Sequence, residues 1–250
     1  MGDTGSPTLW YTKDNMRITP HGVGSIVHIV KRGARGMEIV RDNHDRERFL
    51  DTLFFLNDTY KNDHWIREVA GLPRFARPDH WPKCEPLVDI LGWTLLKNHI
   101  HMLVRVRKDR ENGISEFARR IFRSMTAHFN EKYDERGSIF QGPYKSITVD
   151  SDKYLRYVIP YIMVKNTFEM YPGGLKSAID NFDRAWDWAT QYPYTSLGSY
   201  VGNTVSPILK THNIIHEMFP TKESLKTASR DMFEAYRERH DDLLKMQLEI

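Results

Sequence analysis

The sequence predicts an α+β domain on a four-stranded antiparallel sheet in the split βαβ, ferredoxin-like arrangement, with one added helix and a helical C-terminal extension. Three observations lead there. Between residues 18 and 150 the patterns run strand, helix, strand, strand, helix, strand. Residues 98–107 (Asn98-His99-Ile100-His101-Met102-Leu103-Val104-Arg105-Val106-Arg107) alternate between two chemical characters. After the fourth strand comes a helix that the basic pattern does not contain.

Composition sets the bounds. A chain of 250 residues with 40% hydrophobic content holds a real core. No apolar run is long enough to cross a bilayer, so no membrane partner is expected. The start, Met1-Gly2-Asp3-Thr4-Gly5-Ser6-Pro7, is polar, and residues 1–17 read as a flexible N-terminus. Cys84 is the only cysteine, which excludes a disulfide framework and a cysteine-based zinc site and fits a reducing, cytoplasmic setting. A net charge of +3 permits a nucleic-acid partner without demanding one, so phosphate binding must come from local patches. The main domain is expected over residues 18–172 and the helical extension over 173–250.

The elements follow in order. Ile18 to Arg32 reads as a strand after a turn at Pro20-His21-Gly22, its β-branched part at Ser25–Lys31. Arg32-Gly33-Ala34-Arg35-Gly36 breaks it. Such a loop can bring backbone amides and guanidinium groups to a phosphate, or it can be a plain basic turn. Residues 43–63 are expected to be helical, capped by Asp42 or Asn43, with Phe49, Leu53, Leu56 and Tyr60 as the buried stripe. Four prolines make 71–86 a long loop. Residues 87–96 form a second strand, and a turn at Lys97-Asn98 folds it into a hairpin with the next.

On that next strand Ile100, Met102, Val104 and Val106 make a core face. His99 and His101 share the other side with Leu103, Arg105 and Arg107, about 7 Å apart at strand rise. Two neutral imidazoles so placed can hold one divalent cation. Two ordinary histidines on a sheet surface are the plain alternative. Residues 112–133 form a second helix with Ile114, Phe117, Ile121, Met125, His128 and Phe129 on one face. Arg119, Arg120 and Arg123 form a basic cluster near the other. A fourth strand runs from Tyr144 to Asp150.

The added helix, capped by Asp150 or Ser151, spans residues 152–167. Tyr154, Tyr157, Tyr161 and Lys165 share one of its faces, and Pro160 should kink it just before Tyr161. In this topology the first and third strands are neighbours, so His28 can sit beside the histidine pair, most simply as a core or second-shell histidine. Beyond Pro172-Gly173-Gly174, helices are expected at 175–190, 208–219 and 221–247. The last is amphipathic, suited to packing on the main domain, on a partner or on nucleic acid.

These residues resemble the single-tyrosine HUH transposases, in particular the REP-associated tyrosine transposase branch. The resemblance spans about residues 20–205. It rests on His28 followed by Arg32-Gly33, on the helix start Asp45-Arg46-Glu47-Arg48-Phe49-Leu50, on Asn98-His99-Ile100-His101, on Phe140-Gln141-Gly142 with Lys145, and on Tyr161. It implies a metal-dependent nuclease and strand transferase acting on single-stranded or hairpin DNA. His99 and His101 would hold Mg²⁺ or Mn²⁺, and Tyr161 would be the nucleophile of a 5′-phosphotyrosine intermediate, with Tyr157 as the competing choice. Arg32, Arg35 and Lys145 become candidates for phosphate contact, and Arg119 and Arg123 gain a DNA-facing reading.

The chain departs from the family in two places: the long loop at 71–86, which bears on which DNA is read, and the position four residues after the tyrosine. Family members carry Asn or Gln four residues after the tyrosine as a further ligand. Here that residue is Lys165, which cannot coordinate while charged, and Asn166 follows. Either the kink brings Asn166 to the metal, or Lys165 contacts phosphate and the third ligand lies elsewhere. The competing function is a non-catalytic module that binds structured nucleic acid. Monomer and homodimer are both compatible with the sequence.

Overall fold

The computed structural model describes residues 21–202, 205–210 and 213–238, with side chains to 235. The expected N-terminal segment 1–17, the strand start at Ile18 and the last helix beyond 238 lie outside the described residues. Four strands, β1 (Ile26–Arg32), β2 (Val88–Leu95), β3 (His99–Val106) and β4 (Lys145–Val149), form one sheet in the order β2-β3-β1-β4. Every pairing is antiparallel. With the two helices that connect them, this is the ferredoxin-like arrangement the sequence predicts.

Strand alternation sorts the side chains into two cores. Val27, Ile29, Ile100, Met102, Val104 and Val106 pack against α1 (Asn43–Phe55) and α3 (Gly113–Tyr133), through Phe49, Leu53, Ile114, Phe117, Ile121 and Met125. Leu103 turns to the opposite face and joins Leu155, Val158, Ile159 and Tyr161 of the added helix. A period of two in β3 and a period near 3.6 in the helices make this division a consequence of covalent spacing.

Helix α1 starts at a capping box: the Asp42 carboxylate accepts from the Asp45 amide, and Asp45 returns the bond. It stops at Phe55, short of the expected 63. The reason is long-range. The Asn57 side chain accepts from Leu87 and Val88 amides and donates to the Val88 carbonyl, while Asp58 accepts from the Glu85 amide. Two buried polar side chains thus pull the chain away from helix and onto the start of β2. A short helix α2 (Trp65–Val69), not expected from the sequence, packs Trp65 with Phe55 and Trp81 under the long loop.

The added helix begins as α4 (Asp152–Pro160), capped by Ser151. It continues through a π turn at Tyr161–Lys165 into α5 (Asn166–Phe168). The expected 175–190 helix is two, α6 (Gly174–Asp180) and α7 (Phe182–Gln191), broken at Asn181. After α8 (Leu197–Tyr200), the expected 208–219 helix is reduced to α9 (Ile214–Met218), started by the Asn213 side chain. Helix α10 (Lys222–Glu238) packs on α4 through Leu225, Met232 and Phe233.

The C-terminal extension also seals the β2 edge. The Leu95 amide bonds the Tyr194 carbonyl, Ser196 bonds Trp93 and Lys210 bonds Ile90. Covering an edge strand removes a template for unwanted pairing. Among the described residues no helix is long and apolar enough to cross a membrane.

Candidate functional site

Register places the polar residues of the second sheet face in rows. His99 lies opposite Arg32, His101 opposite Val30, and Leu103 opposite His28. Lys145 lies opposite Val30 on its other side. Paired residues in an antiparallel sheet point to the same face. His28, Arg32, His99, His101 and Lys145 therefore share one face, and α4 with its π turn lies across it.

Tyr161 sits edge-on to two of these imidazoles. Its ring centroid is 5.7 Å from His101 and 6.3 Å from His28. Tyr157, one turn earlier in the helix, stacks on Tyr161 at 6.0 Å. His99 and His101 have ring centroids 5.0 Å apart. Tyr161 is only 3% exposed, so the phenol belongs to a packed interior.

Each histidine of the pair has a partner at Nδ1. His99 Nδ1 lies 2.7 Å from Asn98 Oδ1. That amide is oriented by a bond from its Nδ2 to the Gly36 carbonyl, so Oδ1 accepts and His99 carries its proton on Nδ1. His101 Nδ1 lies 2.8 Å from His28 Nε2. Burial pushes His28 and His99 down to about 3, with Arg32 and Lys165 adding to the effect at His99. Burial, then His28 and His99, hold His101 well below its ordinary value. All three rings are neutral at pH 7, the state that can ligate a metal.

A π turn changes the helix register at Lys165 and Asn166. A π turn holds one more residue than an α turn, and here the Asn166 amide bonds the Tyr161 carbonyl five residues back. Pro160, which lacks an N–H, sits at its start. Asn166 is fully buried, and neither its Oδ1 nor its Nδ2 has a hydrogen-bond partner. Such an amide costs about 1–3 kcal/mol to bury. Lys165 instead forms an ion pair with Glu169 and lies 5.1 Å from the Tyr161 ring centroid.

The basic loop is docked beside His99. The Gly33 amide bonds the Asn98 carbonyl at 2.7 Å, and Ala34 bonds Ile139. A side chain at Gly33 would strike the Met37 carbonyl. Gln141 bonds the Arg32 carbonyl, so the Phe140-Gln141-Gly142 turn closes over the same end of β1. The amides of Gly33, Ala34, Gly36 and Met37 are all spent on protein carbonyls, which corrects the reading of this loop as an amide cradle. What it offers is its guanidinium groups. Arg32 has a buried, unpartnered Nε beside His99, and Arg35 is exposed in the left-handed region at φ 54°.

Arg119 and Arg123 are exposed on α3, in the layer across the sheet from the histidines. The structure does not bring them to the site. Arg120 is turned inward, holding the Asp58 and Thr59 carbonyls and Glu116.

A second group of potential ligands, His44, Asp45 and His128, also lies in that far layer, with ligand atoms within 4.8 Å of one another. Its carboxylate is already saturated. Asp45 accepts from the Arg41 amide, Tyr133, His128 and the Lys132 ammonium. Burial alone would raise its pKa, but these bonds hold it well below the carboxylate range. The Lys132 ammonium already pairs with this carboxylate, so the group reads as a structural hub joining α1 to α3.

The fold and site together define a ferredoxin-like domain with a paired-imidazole strand faced by a tyrosine-bearing helix. Residues 84–165 match the profile of the family described as "Transposase IS200 like". That third of the chain holds His99, His101 and Tyr161 and ends one residue before Asn166. Among solved structures, that of a REP-associated tyrosine transposase bound to a REP hairpin aligns with 79% of this chain and 91% of its own, at 14% identity and a TM-score of 0.43. No curated protein matches the chain.

Proposed function

We propose that this protein is a metal-dependent single-stranded DNA endonuclease and strand transferase that acts at hairpin-associated sites through a 5′-phosphotyrosine intermediate. The observation that carries the reading is Tyr161 held edge-on to His101 from a helix crossing the histidine face. The match of residues 84–165 to an IS200-like transposase profile supports it.

The residues fit a divalent cation. His99 and His101 are neutral and have partners at Nδ1, and Asn166 has a buried amide without a partner. His99, His101 and Asn166 would hold the ion, and two imidazole nitrogens with an amide oxygen suit Mn²⁺ better than Mg²⁺. When bound, the cation would draw charge off the scissile phosphate and ease departure of the 3′ oxygen. Tyr161 Oη gives up its proton and attacks phosphorus, the P–O3′ bond breaks, and the departing oxygen takes up a proton to leave a 3′-OH, so that the net step moves one proton from the phenol to the 3′ oxygen. The phosphodiester energy stays in the tyrosine link, so rejoining needs no ATP. Arg32 and Lys145, on the same sheet face, and Arg35 on the adjoining loop meet phosphates. Lys165 serves that role only after release from Glu169.

The test is incubation with hairpin-bearing single-stranded DNA and Mn²⁺, read on a denaturing gel. A covalent protein–DNA band is expected, absent in Tyr161→Phe and retained in Tyr157→Phe. An adduct that survives Tyr161→Phe overturns the assignment. Tight binding with no adduct under any divalent metal would make the protein a non-catalytic nucleic-acid-binding module.

A further inference from the structure

We infer that His28 is a positioning residue that accepts the Nδ1 proton of His101 and so keeps the Nε2 lone pair of His101 open for a divalent cation. The inference rests on the proposed function and assigns a role that the reaction itself does not require of His28.

His28 Nε2 and His101 Nδ1 are 2.8 Å apart, and the rings stack with centroids 5.1 Å apart. Both residues are 1% exposed, so no bulk water competes for the bond. One proton lies between the two nitrogens. If His28 donated it, neutral His101 would carry its own proton on Nε2, and neither of its nitrogens could ligate. If His101 donates, its Nε2 is free and His28 holds its proton on Nδ1. Only the second arrangement makes a ligand of His101.

The neighbouring histidine follows the same rule with a different partner. Asn98 Oδ1 can only accept, which leaves His99 open at Nε2 as well. Ligating histidines are ordinarily oriented in this way by an outer acceptor, most often a carboxylate, a carbonyl or water. A carboxylate beneath His101 would bring a full negative charge into a buried site. An imidazole supplies the acceptor and leaves the site neutral. The topology makes this available, because β1 and β3 are adjacent and the two histidines are brought together from 73 positions apart in the chain. Tyr161 packs edge-on to both rings, so rotation of His101 would also disturb the phenol.

The experiment has two readouts. The first is ¹⁵N NMR of the histidine rings in metal-free wild-type protein, which reports each tautomer directly. His101 is expected protonated at Nδ1, and a His101 protonated at Nε2 overturns the inference whether or not the protein binds metal. The second is Mn²⁺ affinity by calorimetry for wild type, His28→Leu and His28→Gln. Loss of an outer partner typically costs 10–100-fold in affinity, expected here for His28→Leu. His28→Gln, whose Oε1 can accept, should recover most of it. Equal affinity in wild type and His28→Leu overturns the inference, as does equal loss in both variants, which would mean packing alone. A wild type that binds no Mn²⁺ defeats the proposed function instead, with the tautomer still deciding the role of His28.

Discussion

Replacing Asn166 with leucine separates a residue kept for packing from one kept for a ligand. Asn166 is fully buried, and both polar atoms of its amide lack partners. Leucine has a similar branched shape and nothing to leave unsatisfied. Removing an orphaned buried amide should return about 1–3 kcal/mol, offset in part by the strain of two slightly larger methyl groups. A net gain of roughly 1 kcal/mol raises Tm by about 2–4 °C in a domain of this size. The assay is thermal or urea unfolding in EDTA, repeated with Mn²⁺. Without metal the variant should be the more stable protein. With Mn²⁺ at a hundredfold over its Kd the wild type should gain about 2.7 kcal/mol, and the variant much less. A metal-free Asn166→Leu protein less stable than wild type by more than about 1 kcal/mol would refute the reasoning. The amide would then be structural.

Two further outcomes follow from the buried polar groups. In metal-free protein, stability should fall as pH drops from 7 to 5. His28 and His99 titrate near 3 when folded but near 6.5 when unfolded, so the unfolded chain binds more protons throughout that window. Each contributes roughly 2 kcal/mol of loss by pH 5, His101 acts in the same direction, and equal urea midpoints at pH 7 and 5 would contradict this. Asp45→Ala strands Lys132, His128, Tyr133 and the Arg41 amide and should cost about 3–5 kcal/mol in urea unfolding. The same variant should bind Mn²⁺ with unchanged stoichiometry, since its histidines lie in the far layer; a lost equivalent would move the metal site there.

The sequence alone determined what depends on covalent spacing. Alternation along residues 98–107 assigns Ile100, Met102, Val104 and Val106 to one core and His99 and His101 to the other face. The strand and helix order implies the antiparallel sheet, and the tyrosine spacing puts Tyr157 and Tyr161 on one helix face. These are local consequences of periods 2 and 3.6. Tertiary structure decided everything that needs partners distant in the chain. Helix α1 ends early because Asn57 bonds residues some 30 positions on. Arg32 reaches the histidines while Arg119 and Arg123 do not, because adjacent strands share a face and α3 covers the other. The Asn166 amide reaches back five residues to the Tyr161 carbonyl, a widening of the turn that the spacing of residues along the helix does not specify. The hydrogen bond at His101 Nδ1 is made with a ring on another strand, and no pattern along β3 could have revealed it.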